Sequence, residues 1–245
     1  MLLSVQDVRK KFGSILAVDG VTLAVEPGEI RGVVGPNGAG KTTLFNLITG
    51  FLPVSSGTII FEGQNITRRP THDRVRRGMA RTFQTPQLFS DMTILDNILV
   101  SFYGSLLRNM FSRRGLRGAA QERALEILEL VGLADVTEVR ASELPYASQR
   151  KLEIGRALMT DPRIVLLDEP AAGMNPTEVE TLMRLIRAIR TQNRGVVVVE
   201  HNMRLIMEIS DQVLVIDFGR VIAEGTPNDV RRDARVISAY LGEHG

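Results

Sequence analysis

Three observations predict an α/β fold in which a mostly parallel sheet is interrupted by a helical insert. Ile30 to Val34 is a short β-rich run that enters a glycine loop and continues as a helix over Thr42 to Thr49. A second alternation of strand and helix runs through Ile164 to Leu167, Pro176 to Arg190, Val196 to Val199, Met203 to Ile209 and Val213 to Ile216, the order of a parallel sheet. Between them, from about Asp91 to Leu133, no strand pattern occurs, and Ala124, Ile127, Leu128 and Val131 recur at helical spacing.

The remaining elements follow in order. Leu3, Val5 and Val8, then Val21, Leu23 and Val25, alternate about a turn at Phe12-Gly13, which predicts two short antiparallel strands. A strand over Thr58 to Phe61 and a helix over Thr71 to Arg77 come next, and Arg81 to Gln84 closes a further strand at the mouth of the insert. Asn109 to Gly118, with Arg108 just before it and Arg113, Arg114 and Arg117 within it, reads as a solvated loop between helices.

Composition narrows the function. The 245 residues are 44% hydrophobic and 24% charged, enough for a sizeable core in one or two domains and unlike a disordered chain or a fibre. With no Cys there is no disulfide, thiolate zinc site or iron–sulfur cluster, and three scattered histidines, His72, His201 and His244, make a histidine-rich metal centre a poor reading. A net charge of +2 gives no indication of nucleic-acid binding. The start lacks a leader pattern, and no apolar run approaches the ~20 residues that cross a bilayer, so the chain is expected to be cytosolic, with any membrane role supplied by a partner.

Gly35-Pro36-Asn37-Gly38-Ala39-Gly40-Lys41-Thr42-Thr43 matches G-x-x-x-x-G-K-[ST] directly after a predicted strand and at the start of a helix. Glycines let the backbone wrap phosphate oxygens, the N–H groups from about Gly38 to Thr43 point inward, and the helix dipole adds positive potential. Lys41 is placed for the β- and γ-phosphates, and the Thr42 hydroxyl for Mg²⁺. Ile164 to Leu167 is a buried-strand run that delivers Asp168 and Glu169 to the carboxyl end of the sheet. Asp168 then suits Mg²⁺, through water, and Glu169 suits polarisation of a water for in-line attack on the γ-phosphate.

With these motifs in place, the whole chain resembles the nucleotide-binding subunits of ABC transporters. The resemblance implies a P-loop NTPase of the ABC type: one nucleotide-binding domain over 1–245, with 1–84 and 160–245 as a RecA-like core carrying an antiparallel β subdomain. Residues 85–159 would be a helical subdomain with the signature loop. It also implies ATP and Mg²⁺ as ligands and ATP hydrolysis coupled to transport. Gln84 looks like the family's Q-loop glutamine, which contacts Mg²⁺ or water and senses the transmembrane partner. His201 looks like the switch histidine on the γ-phosphate, a helix cap being its competing reading. Phe12 stands where the family stacks an aromatic on adenine; a packed core phenylalanine is the alternative.

Leu144-Pro145-Tyr146-Ala147-Ser148 occupies the place of the signature loop, before a helix expected over Lys151 to Met159. In the family this loop closes on ATP held by the opposite subunit of a head-to-tail dimer. Here Pro145 lacks a hydroxyl and an N–H, Tyr146 and Ala147 replace glycines, and Ala147 adds a methyl where close approach is needed. Either this is a weak half-site or the remaining N–H groups and helix dipole suffice. Asn175 stands in the D-loop in place of the usual aspartate.

The strings Ala80-Arg81-Thr82-Phe83-Gln84, Lys151-Leu152-Glu153-Ile154-Gly155-Arg156-Ala157, Asp168 to Pro176, Val199 to Met203 and Ala239 to Glu243 look most like the longer ATPase of branched-chain amino-acid importers. That resemblance implies a second ATPase subunit, with a heterodimer expected and a homodimer open. It also implies two permeases that hold the chain at the cytoplasmic face of the membrane, and indirectly an extracytoplasmic binding protein. Urea-type importers and the lipopolysaccharide-exporter ATPase share many of these strings. A soluble ABC ATPase of translation or DNA repair is the other class, disfavoured by a single cassette without sustained heptads.

Overall fold

The computed structural model describes residues 1–106 and 116–241. Strands β1 (Leu3–Phe12) and β2 (Ile15–Val25) pair antiparallel about the turn at residues 13 and 14, longer than the sequence suggested and bent by register shifts. With β4 (Ser56–Phe61) and β5 (Gln64–Asn65) they form a four-stranded sheet in the order β2-β1-β4-β5.

The second sheet contains β3 (Ile30–Val34), β6 (Met79–Arg81), β7 (Ile164–Asp168), β8 (Gly195–Val199), β9 (Gln212–Asp217) and β10 (Arg220–Gly225), in the order β10-β9-β3-β8-β7-β6. Within it the pairs from β9 to β6 are parallel, and β10 joins β9 antiparallel. Buried parallel strands must be covered on both faces, and alternate residues of β8 show how. Val196 and Val198 pack into one apolar cluster with Leu182 and Ile186, while Val197 and Val199 pack into another with Leu44 and Phe45. The first cluster lies against α6 (Pro176–Arg190) and the second against α1 (Lys41–Thr49) and the antiparallel sheet.

After α2 (Thr71–Arg76), the helical part contains α3 (Ile94–Leu106), α4 (Leu116–Leu130) and α5 (Tyr146–Leu158). Ala124, Ile127, Leu128 and Val131 are all buried there, as their spacing predicts. The predicted loop with Arg108, Arg113 and Arg114 lies outside the described residues, whereas Arg117 and Gly118 belong to α4 and not to that loop. Helix α5 starts five residues before the expected Lys151: the Pro145 carbonyl accepts the N–H groups of Ser148 (2.9 Å) and Gln149 (3.0 Å), so Tyr146 to Ser148 form its first turn. Helix α7 (Met203–Ile209) follows β8 as expected, and β10, α8 (Pro227–Arg232) and α9 (Ala234–Leu241) complete the chain beyond the predicted elements.

Candidate nucleotide site

Strands β3, β8, β7 and β6 are neighbours, and their carboxyl ends carry the predicted chemistry. Val33 and Asp168 both stand opposite Val199, while Arg81 stands opposite Leu166. The segments at 35–43, 200–201, 168–169 and 82–84 therefore leave one sheet edge at nearly one level. With strands ~4.8 Å apart, the four span about 15 Å.

The loop after β3 is possible only with glycine at its tight points. A Cβ at Gly35 (φ 156°) would lie 2.0 Å from the Ile216 carbonyl oxygen, and one at Gly40 (φ 103°) 2.4 Å from that of Ala17. Gly40 is the N-cap of α1, with no side-chain cap and no acidic residue in the first turn, so the amide end of the helix presents positive potential. Lys41 Nζ donates to the carbonyl oxygens of Gly35 (2.6 Å) and Pro36 (2.8 Å), which holds the ammonium beneath the loop. Thr42 is exposed on the first turn, Thr43 is half-buried, Asn37 and Gly38 are exposed, and Ala39 anchors the loop in the core. Phe12 is 44% exposed at the end of β1, with Lys10 Nζ 5.0 Å from its ring centre, so the packed-core alternative is excluded.

Glu169 is the meeting point of the other predicted residues. Gln84 Nε2 donates to its Oε2 at 3.0 Å, and His201 Nε2 lies 2.6 Å from its Oε1. Thus β6 and β8 each deliver one residue to the carboxylate that follows β7.

Asp168 is 1% exposed, its Oδ2 accepts from Arg81 (2.8 Å), and its Oδ1 is buried without a hydrogen-bond partner. Burial pushes this carboxyl above its ordinary value, while the Arg81 hydrogen bond pulls it back down. A buried oxygen with no protein partner, the Thr42 hydroxyl and the Gln84 amide oxygen are all hard oxygen donors. Such a set suits Mg²⁺ whose other positions go to phosphate and water.

Sequence reasoning missed the charged residues that position this site. Arg150 donates to the carbonyl oxygens of Phe83 (2.6 Å) and Gln84, Glu153 accepts the Phe83 N–H (3.0 Å), and Arg156 donates to the Gln87 carbonyl. Spaced three apart on α5, they fasten the segment around Gln84 to the helix that Pro145 caps. Glu153 is buried, which pushes its carboxyl above the ordinary range. The one signal available was charge at helical spacing inside an otherwise apolar stripe. Glu200, also buried and raised by burial, accepts the N–H groups of Ala171 (2.6 Å), His201 (3.1 Å) and Asn202 (3.3 Å), which ties the segment after Glu169 to that of His201. His201 itself does not cap α7; Asn202 does, accepting from Leu205 N.

In the loop before α5, Leu144 is buried, Pro145 is the N-cap and is exposed with Tyr146, and Ser148 is half-buried. Ala147 is 7% exposed, so its methyl packs inward and the surface an incoming group meets is Pro145 and Tyr146. Asn175 is the N-cap of α6, in a reciprocal capping box with Glu178. Its amide serves a helix start in this chain.

A wrapped phosphate loop beside strand-end carboxylates, at the edge of a parallel sheet, defines a P-loop nucleoside triphosphatase. The family described as "ABC transporter" matches residues 18–172, and "Branched-chain amino acid ATP-binding cassette transporter" matches residues 220–245. This chain belongs to the ABC transporter family as an ATP-binding subunit, an ATPase. It is 43% identical, over 99% of its length and 98% of the relative's, to the high-affinity branched-chain amino acid transport ATP-binding protein LivG of Escherichia coli (strain K12). With BraF of Pseudomonas aeruginosa, a protein of the same description, the identity is 44% over 99% and 98%. An ATP-binding cassette of an ABC transporter solved in its ADP conformation superposes with a TM-score of 0.88 at 32% identity over 98% of both chains.

Proposed function

We propose that this chain powers import of branched-chain or closely related amino acids by hydrolysing MgATP. The work would be done with a second ATPase subunit and two permeases at the cytoplasmic membrane face, fed by an extracytoplasmic binding protein. The relatives' descriptions and the match at residues 220–245 support the substrate class. No helix among the described residues is long and apolar enough to cross a membrane.

The observation that carries the mechanism is the Glu169 carboxylate held between Gln84 and His201. Adenine stacks on Phe12, and the amides of Gly38 to Thr43 with Lys41 receive the phosphates. Thr42, Asp168 and Gln84 would hold Mg²⁺, which would supply neutralisation of the triphosphate charge. Glu169 accepts the proton of the attacking water as its oxygen closes on the γ-phosphorus and the β–γ bond opens. His201 turns its N–H to the γ-phosphate, and Gln84 reports the same event to the permease through its backbone attachment to α5. Hydrolysis removes the phosphate that bridges the two subunits and lets them part.

In a heterodimer, the partner's ATP faces Pro145, Tyr146 and Ser148, where no side-chain hydrogen bond caps α5 and one amide is missing. The two sites are then unequal, with turnover concentrated at the phosphate loop of this chain. Reconstitution with permeases, partner ATPase and binding protein tests the reading. Leucine, isoleucine or valine should raise phosphate release and enter vesicles, and transport of urea or lipid instead would overturn the substrate assignment.

A further inference from the structure

Arg81 sits at the end of β6 with its side chain 6% exposed, and it does more than balance one charge. Its guanidinium carbon lies 5.1 Å from the ring centre of Phe83, 5.6 Å from Phe51 and 5.7 Å from Phe45, an aromatic cage that holds a cation without carboxylates of its own. One terminal nitrogen donates to Asn46 Oδ1 (2.6 Å) and Thr49 Oγ1 (3.1 Å), the other to Asp168 Oδ2 (2.8 Å). Asn46 is four residues beyond Thr42 on α1 and Thr49 seven, so both lie on the Thr42 side of that helix.

From this bridge, and resting on the nucleotide-site reading above, we infer that Arg81 is a positioning residue for the metal. It fixes the spacing between the two elements that supply Thr42 and Asp168 and leaves Asp168 Oδ1 without a protein partner, available to a cation. A rigid fork with a permanent charge suits the task because it reaches α1 and β7 together. The Arg81 Nε, buried without a hydrogen-bond partner, shows that the side chain is arranged around its terminal nitrogens and not for full satisfaction. Outer partners of metal ligands commonly alter metal affinity ~10–100-fold when removed.

The test is the affinity of the full chain for Mn²⁺ with a non-hydrolysable imido analogue of ATP bound, read from loss of the free-Mn²⁺ electron paramagnetic resonance signal. Arg81→Met should weaken Mn²⁺ about tenfold or more while metal-free analogue affinity stays within about twofold, since its hydrogen-bond partners Asn46, Thr49 and Asp168 lie outside the loop at residues 35–43. In an Asp168→Asn background, the same substitution should add little, because both changes act through one carboxylate. Should Arg81→Met not fold, Arg81→Lys carries the test, with an ammonium that cannot span α1 and Asp168 together. It should lose several-fold in Mn²⁺ affinity and keep wild-type analogue affinity. Wild-type Mn²⁺ affinity in either folded variant overturns the inference. If Asp168→Asn alone leaves Mn²⁺ affinity unchanged, the metal-site reading fails first, and the bridge loses its purpose with it.

Discussion

Two residues one apart in sequence, Asp168 and Glu169, are handled in opposite ways. Asp168 is locked by Arg81 in the interior, while Glu169 is held by two uncharged or switchable groups, Gln84 and His201, that can let go. Lys41, Asp168 and Glu169 were legible because phosphate geometry dictates their spacing from a strand end. Arg81, Glu153 and Arg74 were not, because a buried charge looks like a surface charge until its partners are placed. Lys41→Ala should weaken MgATP binding at least about tenfold by loss of a charge-assisted contact worth ~1.5–3 kcal/mol, and unchanged affinity in calorimetry would contradict its role. Arg74 is buried, with its pKa lowered by burial to about 10, and it donates to the carbonyl oxygens of Leu47 (2.8 Å) and Ile48 (2.6 Å) at the end of α1. Arg74→Met strands the Ile48 carbonyl, leaves that of Leu47 with the Gly50 N–H (3.3 Å) alone, and should cost about 3 kcal/mol, which lowers the melting temperature by roughly 6–12 °C in a chain of this size.

Helix α5 is the element on which reading the sequence was least complete. The helix expected over Lys151 to Met159 caught its second half, but Pro145 and the bulky Tyr146 hid the first turn, since a proline there reads as a break until its carbonyl is seen capping the helix. Likewise β10 escaped notice because Ala223 is its one buried residue. Helix α8 was missed although Thr226, Pro227 and Asp229 spell a capping box. Through Arg150, Glu153 and Arg156, α5 is fixed to the segment of Gln84, so the signature residues and the glutamine are expected to move together. Glu153→Ala should uncouple them, with ATP affinity kept and substrate-stimulated turnover of the complex falling further than basal turnover. Equal losses in both would contradict the coupling. Burial raises the Glu153 carboxyl above its unfolded value, so the folded state keeps its proton at pH values where the unfolded chain has released it. Stability from this group falls as pH rises from the ordinary carboxylate range through that higher pKa. Glu153→Gln should accordingly gain melting temperature relative to the wild type across that window, and the opposite trend would show that the charged form is the stabilised one.

At the scale of the molecule, the strand order matters more than any single motif. Neighbouring strands β3, β8, β7 and β6 bring together residues as distant in sequence as Lys41 and His201. Sequence periodicity gave the strands and helices that make this sheet, but not their lateral order, which depends on contacts between segments far apart along the chain. In the proposed heterodimer each ATP site would be completed by the opposite subunit, and there the proline-bearing loop before α5 predicts inequality between the two sites. The most direct test is phosphate release by the reconstituted transporter carrying Glu169→Gln in this subunit alone, with nucleotide binding measured in parallel. Near-complete loss of substrate-stimulated turnover, with ATP affinity retained, is the predicted result. Unchanged turnover would contradict the role of Glu169, and retention of about half the activity would contradict the unequal sites.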